Sequence, residues 1–264
     1  EFFREHAPEG VGERAGRQAE RLLDARPAPG GPMTVVLAAE AGGTMIHEAV
    51  GHSLEADLVL KKLSPYGGMM GRPVASERIS VADDATLPGW RGSFCCDDEG
   101  VPAQKTLLIE HGVLRGFIHD ASSALRMGAE ATGNGRRESY AHAPIPRMSN
   151  TLILPGDEPP EAILRSVARG LYVVRMGGGQ VNTVTGDFVF EVMEGYLIEN
   201  GRRAEPVRGA TLIGNGPQVL KSIDRVGNDL GQGIGTCGKD GQGVPVADAQ
   251  PTLRIPEITV GGTG

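Results

Sequence analysis

Glycine and proline interrupt this chain so often that long regular helices are disfavoured throughout: 264 residues hold 40 glycines and 18 prolines. Inside a helix, glycine costs roughly 1 kcal/mol relative to alanine and proline about 3 kcal/mol. Such a sequence favours turns and short strands over a helical bundle. With 39% hydrophobic residues it can still fill a core. A soluble, turn-rich folded protein is expected, sized for one large domain or two small lobes sharing a core.

Residues 11–26 read as a polar-rich helix with Val11, Ala15, Leu22 and Leu23 on one face, ended by Pro27, Pro29 and the Gly-Gly-Pro at 30–32. A buried strand is expected at 33–38 and a helix at 43–60, with Gly51 an anomaly in its interior. Two hairpins follow from X-Gly turns that accept positive φ: 106–110 with 113–119 around His111-Gly112, and 196–199 with 202–207 around Asn200-Gly201. Helices are expected at 121–127 and 159–169, separated by a polar stretch at 132–148. The longest strand is read at 188–198, a glycine-dense loop at 231–243, and a last strand at 252–260. The expected fold class is α+β, a largely antiparallel sheet with flanking helices, one of which carries the histidine motif described next. We take residues 1–264 as a single domain, with a leading helix in 1–30 and the catalytic core in 33–264.

Residues 47–52 are His-Glu-Ala-Val-Gly-His, one residue longer between the histidines than the His-Glu-x-x-His pattern of zinc proteases. On a regular helix, residues four apart lie about 40° apart around the axis, whereas residues five apart lie about 140° apart. Two ligands so placed cannot share a metal. A local π-type widening returns them to one face, and Gly51 supplies the freedom for it or for a helix break. If both bind one metal, Glu48 sits beside the first ligand. It would take the proton of the attacking water and pass it to the leaving amine. The alternative is a buried helix with two unrelated histidines. A catalytic zinc also needs a third donor and an open position. Among His6, His111, His119, His142 and Cys237, the cysteine is the better candidate, because its glycine-rich surroundings can wrap a site and a thiolate binds zinc strongly. His111 is read as a turn residue. Cys95 and Cys96 are read as small buried residues beside a strand, without C-x-x-C spacing.

The stretches GTMIHEAVGHSLEADL (43–58), RGSFCCDDEG (91–100), RRESYAHAPIPRMSNT (136–151), GGGQVNTVTGDFVF (177–190), RGATLIGNGP (208–217) and GIGTCGKDGQGVPV (233–246) resemble the TldD/PmbA family, also called modulator of DNA gyrase, and in particular its zinc-bearing catalytic subunit. The resemblance runs from about residue 33 to the C-terminus. It implies a metallopeptidase that degrades or trims unfolded peptides inside an assembly with a homologous TldE/PmbA-type partner subunit, or as a homo-oligomer. Carried over by position, it makes His47, His52 and Cys237 the ligands of one zinc ion per chain and Glu48 the catalytic glutamate. Family members usually carry an additional N-terminal domain, expected to be absent here. The Cys95-Cys96 pair departs from the family's polar residue before Asp-Asp-Glu-Gly.

Tyr140 and His142 are secondary candidates for contacts to the substrate or its oxyanion, or for packing a loop. Asp187 is a candidate to orient a metal histidine, or to serve a strand-start turn. The Gly177–179 triplet has no following Lys-Ser/Thr, which argues against nucleotide binding. A net charge of −7 and a pI near 5.4 lack the basic excess of a nucleic-acid binder. No apolar run approaches the roughly 18 residues of a transmembrane helix, and the first residues have no apolar signal core, so neither nucleic acid nor membrane is an expected partner. Three cysteines that cannot all pair internally point to a reducing, cytoplasmic setting. Two rivals to the peptidase stand: a non-catalytic scaffold or binding subunit with structural zinc, and a metal amidase acting on small molecules.

Overall fold

The computed structural model describes residues 7–182 and 184–262; His6 lies outside them. Strands dominate. They are β1 (Arg26–Pro27), β2 (Gly31–Leu37), β3 (Val81–Asp84), β4 (Lys105–Glu110), β5 (Val113–Leu114), β6 (Gly135–Arg136), β7 (Ile145–Pro146) and β8 (Asn150–Ile153). The second half adds β9 (Arg169–Val181), β10 (Asp187–Glu199), β11 (Arg202–Arg208), β12 (Thr211–Asn215), β13 (Arg225–Val226), β14 (Gly231–Lys239), β15 (Gln242–Gln250) and β16 (Leu253–Gly261). The helices are few: α1 (Pro8–Leu23), α2 (Ala56–Leu60), α3 (Ala121–Met127), α4 (Pro160–Arg165) and α5 (Gly216–Ser222).

One sheet runs β1-β11-β10-β12-β16-β2-β9, and β9 pairs again with β10, so five of its strands close into a ring. The long β10 closes the ring by pairing with β9 along one edge, while its other edge pairs with β12 through Asp187–Glu191 and with β11 through Gly195–Glu199. Its residues alternate as period-2 patterning requires: Phe188, Phe190 and Val192 are buried, Val189, Glu191 and Met193 exposed. The second sheet runs β14-β15-β8-β3-β4-β5. Pairing is antiparallel except for β1–β11, β2–β9 and β8–β15. A single buried apolar cluster joins the two sheets, from Val35, Leu171, Phe190, Leu212 and Ile255 through Met45, Ile46 and Ala49 to Val81, Ile109, Ile153 and Val246. Each of the larger side chains among them contributes about 1.5–3 kcal/mol on full burial.

Several elements differ from the sequence reading. The segment expected as one helix at 43–60 is broken, as described below. The helix expected at 159–169 stops at Arg165, and Arg169 opens β9, whose Gly170 lets it approach β2 where a side chain would strike the Thr34 carbonyl. The glycine-dense stretch at 231–243 is a hairpin of β14 and β15, not a loop. Two of its glycines are packing positions: a side chain at Gly231 would enter the Ala39 carbonyl, and one at Gly233 would meet Asp248. Cys95 and Cys96 are exposed, not buried; a one-pair bridge of Cys96 to Pro102 leaves both on a surface turn. Helix α1 is present but has no buried residue, and Leu23 is 82% exposed.

Candidate metal centre

The motif segment leaves β2 and changes helical geometry repeatedly. Thr44–Ile46 makes one α-turn, His47–Gly51 a π-turn and His52–Leu54 a 3-10 turn. Glu55 then adopts an extended conformation (φ −76°, ψ 124°) before α2. The defining bond of the π-turn is from His52 N–H to the His47 carbonyl. It absorbs the extra residue of the motif, so both imidazoles project to one side, with ring centroids 5.2 Å apart and planes at 86°. His-Glu-x-x-x-His therefore does not lie on one regular helix. Two glycines seat the segment. A side chain at Gly51 would overlap the Met148 sulfur, and one at Gly43 would enter the backbone of Ala249 on β15. Gly51 is thus required for close packing; its φ of −56° needs no glycine.

Opposite the π-turn stands β14, carrying Cys237, which is 5% exposed. Its Sγ lies 3.3 Å from His52 Nε2, and one donor atom from each of His47, His52 and Cys237 falls within 4.8 Å of the others. Burial pushes the Cys237 thiol up, but hydrogen bonding and charge from His47 and His52 outweigh it and bring the thiol down to about 6. Burial also opposes the charged form of His52, yet the Glu55 carboxylate and the bonds to Cys237 and Glu55 hold its pKa well above the usual histidine value. Glu48 is placed differently. Its side chain is 42% exposed, with Oε2 3.9 Å from His52 Nε2. Three buried donors and one accessible carboxylate therefore meet at one place.

Two imidazoles and a thiol held close to its thiolate form are the nitrogen and sulfur donors that zinc accepts, and three protein donors leave a position open. Among the described residues, buried His47 Nδ1 has no hydrogen-bond partner, an unmet demand worth roughly 1–3 kcal/mol in a purely polypeptide site. On both counts the residues fit a bound zinc ion.

Buried charge surrounds the three donors. His52 Nδ1 is 3.0 Å from Glu55 Oε2, and the same oxygen lies 3.0 Å from Lys239 Nζ on β14. Arg147, wholly buried, donates through Nη2 to the Cys237 carbonyl at 2.6 Å and through Nη1 to the Gln242 carbonyl at 3.3 Å. Asp248 Oδ1 accepts from Gly43 N–H at 2.9 Å; burial raises its pKa, with His47 and that amide opposing. None of Glu55, Lys239, Arg147 or Asp248 was singled out from the sequence. The signals were present for two of them, since Glu55 follows His52 by one helical step and Lys239 follows Cys237 by one strand repeat.

The remaining candidates are less close. Tyr140 is 92% exposed, and His142 Nδ1 lies 2.9 Å from Ser139 Oγ; among the described residues neither hydrogen-bonds to the three donors. Glu138, in the same loop, accepts from Gly243 N–H at 2.6 Å. Asp187 bonds to Thr185 and Asn215 and so serves its turn. His111 has φ 44° in the hairpin turn, and His119 is buried against Ser123 at the start of α3.

Residues 30–262 match the family model described as the PmbA/TldA metallopeptidase C-terminal domain. The chain is 50% identical to "Metalloprotease TldD homolog" of Haemophilus influenzae over 251 residues, 94% of this chain and 52% of the relative. It is 34% identical to "Zinc metalloprotease TldD homolog" of Saccharolobus solfataricus over 233 residues, 88% of this chain and 52% of the relative. The chain thus spans about half the length of these curated relatives. Among solved structures it is similar to a modulator of a DNA gyrase from Thermotoga maritima, with TM-score 0.81 and 29% identity over 96% of this chain and 55% of that one. TldE from Thermococcus kodakarensis shares the fold, with TM-score 0.74 and 24% identity over 96% of this chain and 55% of that one. A family match over nearly the whole chain, a relative at half identity and a donor cluster in the motif segments agree: the chain belongs to the PmbA/TldD metallopeptidase family.

Proposed function

We propose that this chain is the catalytic part of a zinc-dependent metallopeptidase that hydrolyses peptide bonds in unfolded or extended polypeptides. The observation that carries the reading is the convergence of His47, His52 and Cys237 donor atoms within 4.8 Å, with the accessible Glu48 carboxylate beside them. In the proposal these three residues hold one zinc ion per chain. When bound, zinc supplies Lewis acidity and lowers the pKa of water towards about 7. Glu48 acts as general base, accepting the proton of the attacking water and delivering it to the leaving amine. Its partial exposure suits that task, since the group must meet both water and substrate.

The substrate is proposed to lie extended along β14, the outer strand of its sheet, by adding a strand through backbone hydrogen bonds. Backbone pairing explains tolerance of many sequences. Gly235 and Gly238 leave open space beside that strand, and Tyr140 and His142 are the proposed additional contacts to substrate or oxyanion. The proposed partner is a homologous TldE/PmbA-type subunit or a second copy, and the proposed catalytic unit is residues 33–264. No helix among the described residues is long and apolar enough to cross a membrane. A cytoplasmic setting is proposed on the three free thiols.

The test is cleavage of an unfolded polypeptide by the zinc-loaded full chain with its partner, wild type against Glu48→Gln. General-base loss predicts a fall of about 10²–10⁴-fold at unchanged zinc content. Equal cleavage by both would remove Glu48 from the reaction, and no cleavage by either would favour a scaffold with structural zinc.

A further inference from the structure

Lys239 is an unusual lysine. Its ammonium lies 3.0 Å from Glu55 Oε2 and 2.6 Å from Asp57 Oδ1, and it donates to the Pro146 carbonyl at 2.9 Å. The Lys239 side chain is 8% exposed and that of Glu55 0%. Desolvating such charges costs several kcal/mol each, and apolar residues of similar volume often serve stability as well or better. Fold stability alone therefore gives little reason for the pair. Its position gives a better one. The Glu55 oxygen that meets Lys239 also meets His52 Nδ1 at 3.0 Å, while His52 Nε2 faces Cys237 Sγ at 3.3 Å. Lys239 stands two residues beyond Cys237 on β14, so both side chains leave the strand on the same face.

We infer that Glu55 and Lys239 are positioning residues for the metal centre. Glu55 accepts the Nδ1 proton of His52, which fixes the ring orientation and leaves Nε2 for the metal. Lys239 holds Glu55 in place and, through β14, ties Cys237 to His52. The two chain segments that supply donors are thereby fastened together twice, once at the donors and once at the ion pair. This rests on the zinc reading above and deepens it. Partners of metal-ligating histidines typically change metal affinity by about 10–100-fold when removed.

The experiment measures zinc affinity by chelator competition on the full chain for wild type, Glu55→Gln, Lys239→Met and the double variant. Zinc-free stability in urea and the cobalt(II) absorption spectrum are recorded on the same four proteins. Each single variant is expected to bind zinc about 10–100-fold more weakly and to shift the cobalt bands. The double variant removes both members of the Glu55–Lys239 pair and leaves Asp57 its Lys61 partner at 3.2 Å. It is therefore expected to regain much of the zinc-free stability but not zinc affinity. That split separates positioning from fold maintenance and holds even if a single variant fails to fold. Wild-type affinity in Glu55→Gln, or affinity recovering with stability in the double variant, would overturn the inference and leave the zinc reading standing. A wild-type protein that takes up no zinc would overturn both.

Discussion

The amide of His52 donates to the carbonyl of His47, one residue further along the chain than an α-helix allows. That single bond changes what the motif can do. In a regular helix the two imidazoles would point about 140° apart; through the π-turn they stand with centroids 5.2 Å apart. Widened turns of this kind concentrate at functional sites.

Gly51 is where this geometry is most vulnerable. Met148, against which it packs, is wholly buried. Gly51→Ala is expected to cost about 1–3 kcal/mol of stability by overpacking, and to lower zinc content by displacing His52. Calorimetry with elemental analysis checks both. Unchanged melting and metal content would mean that Met148 yields freely.

Metal removal provides the second prediction. A ligand that binds only the folded state stabilises it by about 2.7 kcal/mol at a hundred times its Kd. Zinc should therefore raise the melting temperature of the wild type, and a chelator should reverse the rise. His47→Ala and Cys237→Ala should show neither the shift nor the bound metal.

Acid and base limbs of zinc-free stability should have different owners. Burial alone would raise the Glu55 pKa, but His52 and Lys239 bring it down from 4.5 to about 2. Its stabilisation is accordingly complete above about pH 4.5 and is lost as pH falls through about 2. His52 behaves oppositely. Its pKa is raised above 6.5 in the fold, so its contribution is complete below that value and fades as pH climbs through the raised one. Urea midpoints measured against pH should thus fall on the acid side as Glu55 protonates. On the alkaline side the loss at His52 is opposed by Cys237, whose thiol is lowered from 9.0 to about 6. Glu55→Gln should flatten the acid limb; an unaltered acid limb would assign it to other carboxylates.

Arg147 supports Cys237 through its backbone carbonyl. Arg147→Met removes the donors to the Cys237 and Gln242 carbonyls, and each buried acceptor left unmet costs about 1–3 kcal/mol. Lower stability together with weaker zinc binding is expected. Loss of stability with full zinc affinity would show that β14 keeps its place without the guanidinium.

The legible parts of the fold were those with local chemistry. Helix α3 could be read from 121–127, and its start is fixed by a reciprocal cap between Asp120 and Ser123 and its end by Gly128 in a left-handed conformation. The Asn200-Gly201 turn and the last strand follow from equally local signals. Glycines whose reason is tertiary were misread. At β14 Gly231 makes room for Ala39 and Glu40 and Gly233 for Asp248, so a strand resembled a loop. The Asp240-Gly241 turn, with φ 50° and 74°, was an available hairpin signal inside the misread stretch. In the candidate site, His47, Glu48 and His52 stood out by spacing and Cys237 by residue type. Arg147 did not, because its significance appears only once distant segments meet; Glu55 and Lys239 carried a spacing signal that was passed over.

His52 and Cys237 are 185 residues apart in sequence, and this separation bears on the order in which the molecule is made. Contacts so remote form only after a large loop has closed, and loop closure is what slows chains rich in such contacts. A ribosome-bound chain exposing residues 47–52 owns two histidines and no thiol across from them. The donor set comes into existence only when β14 reaches the π-turn. A chain interrupted before β14 is born without the thiol that completes the donor set.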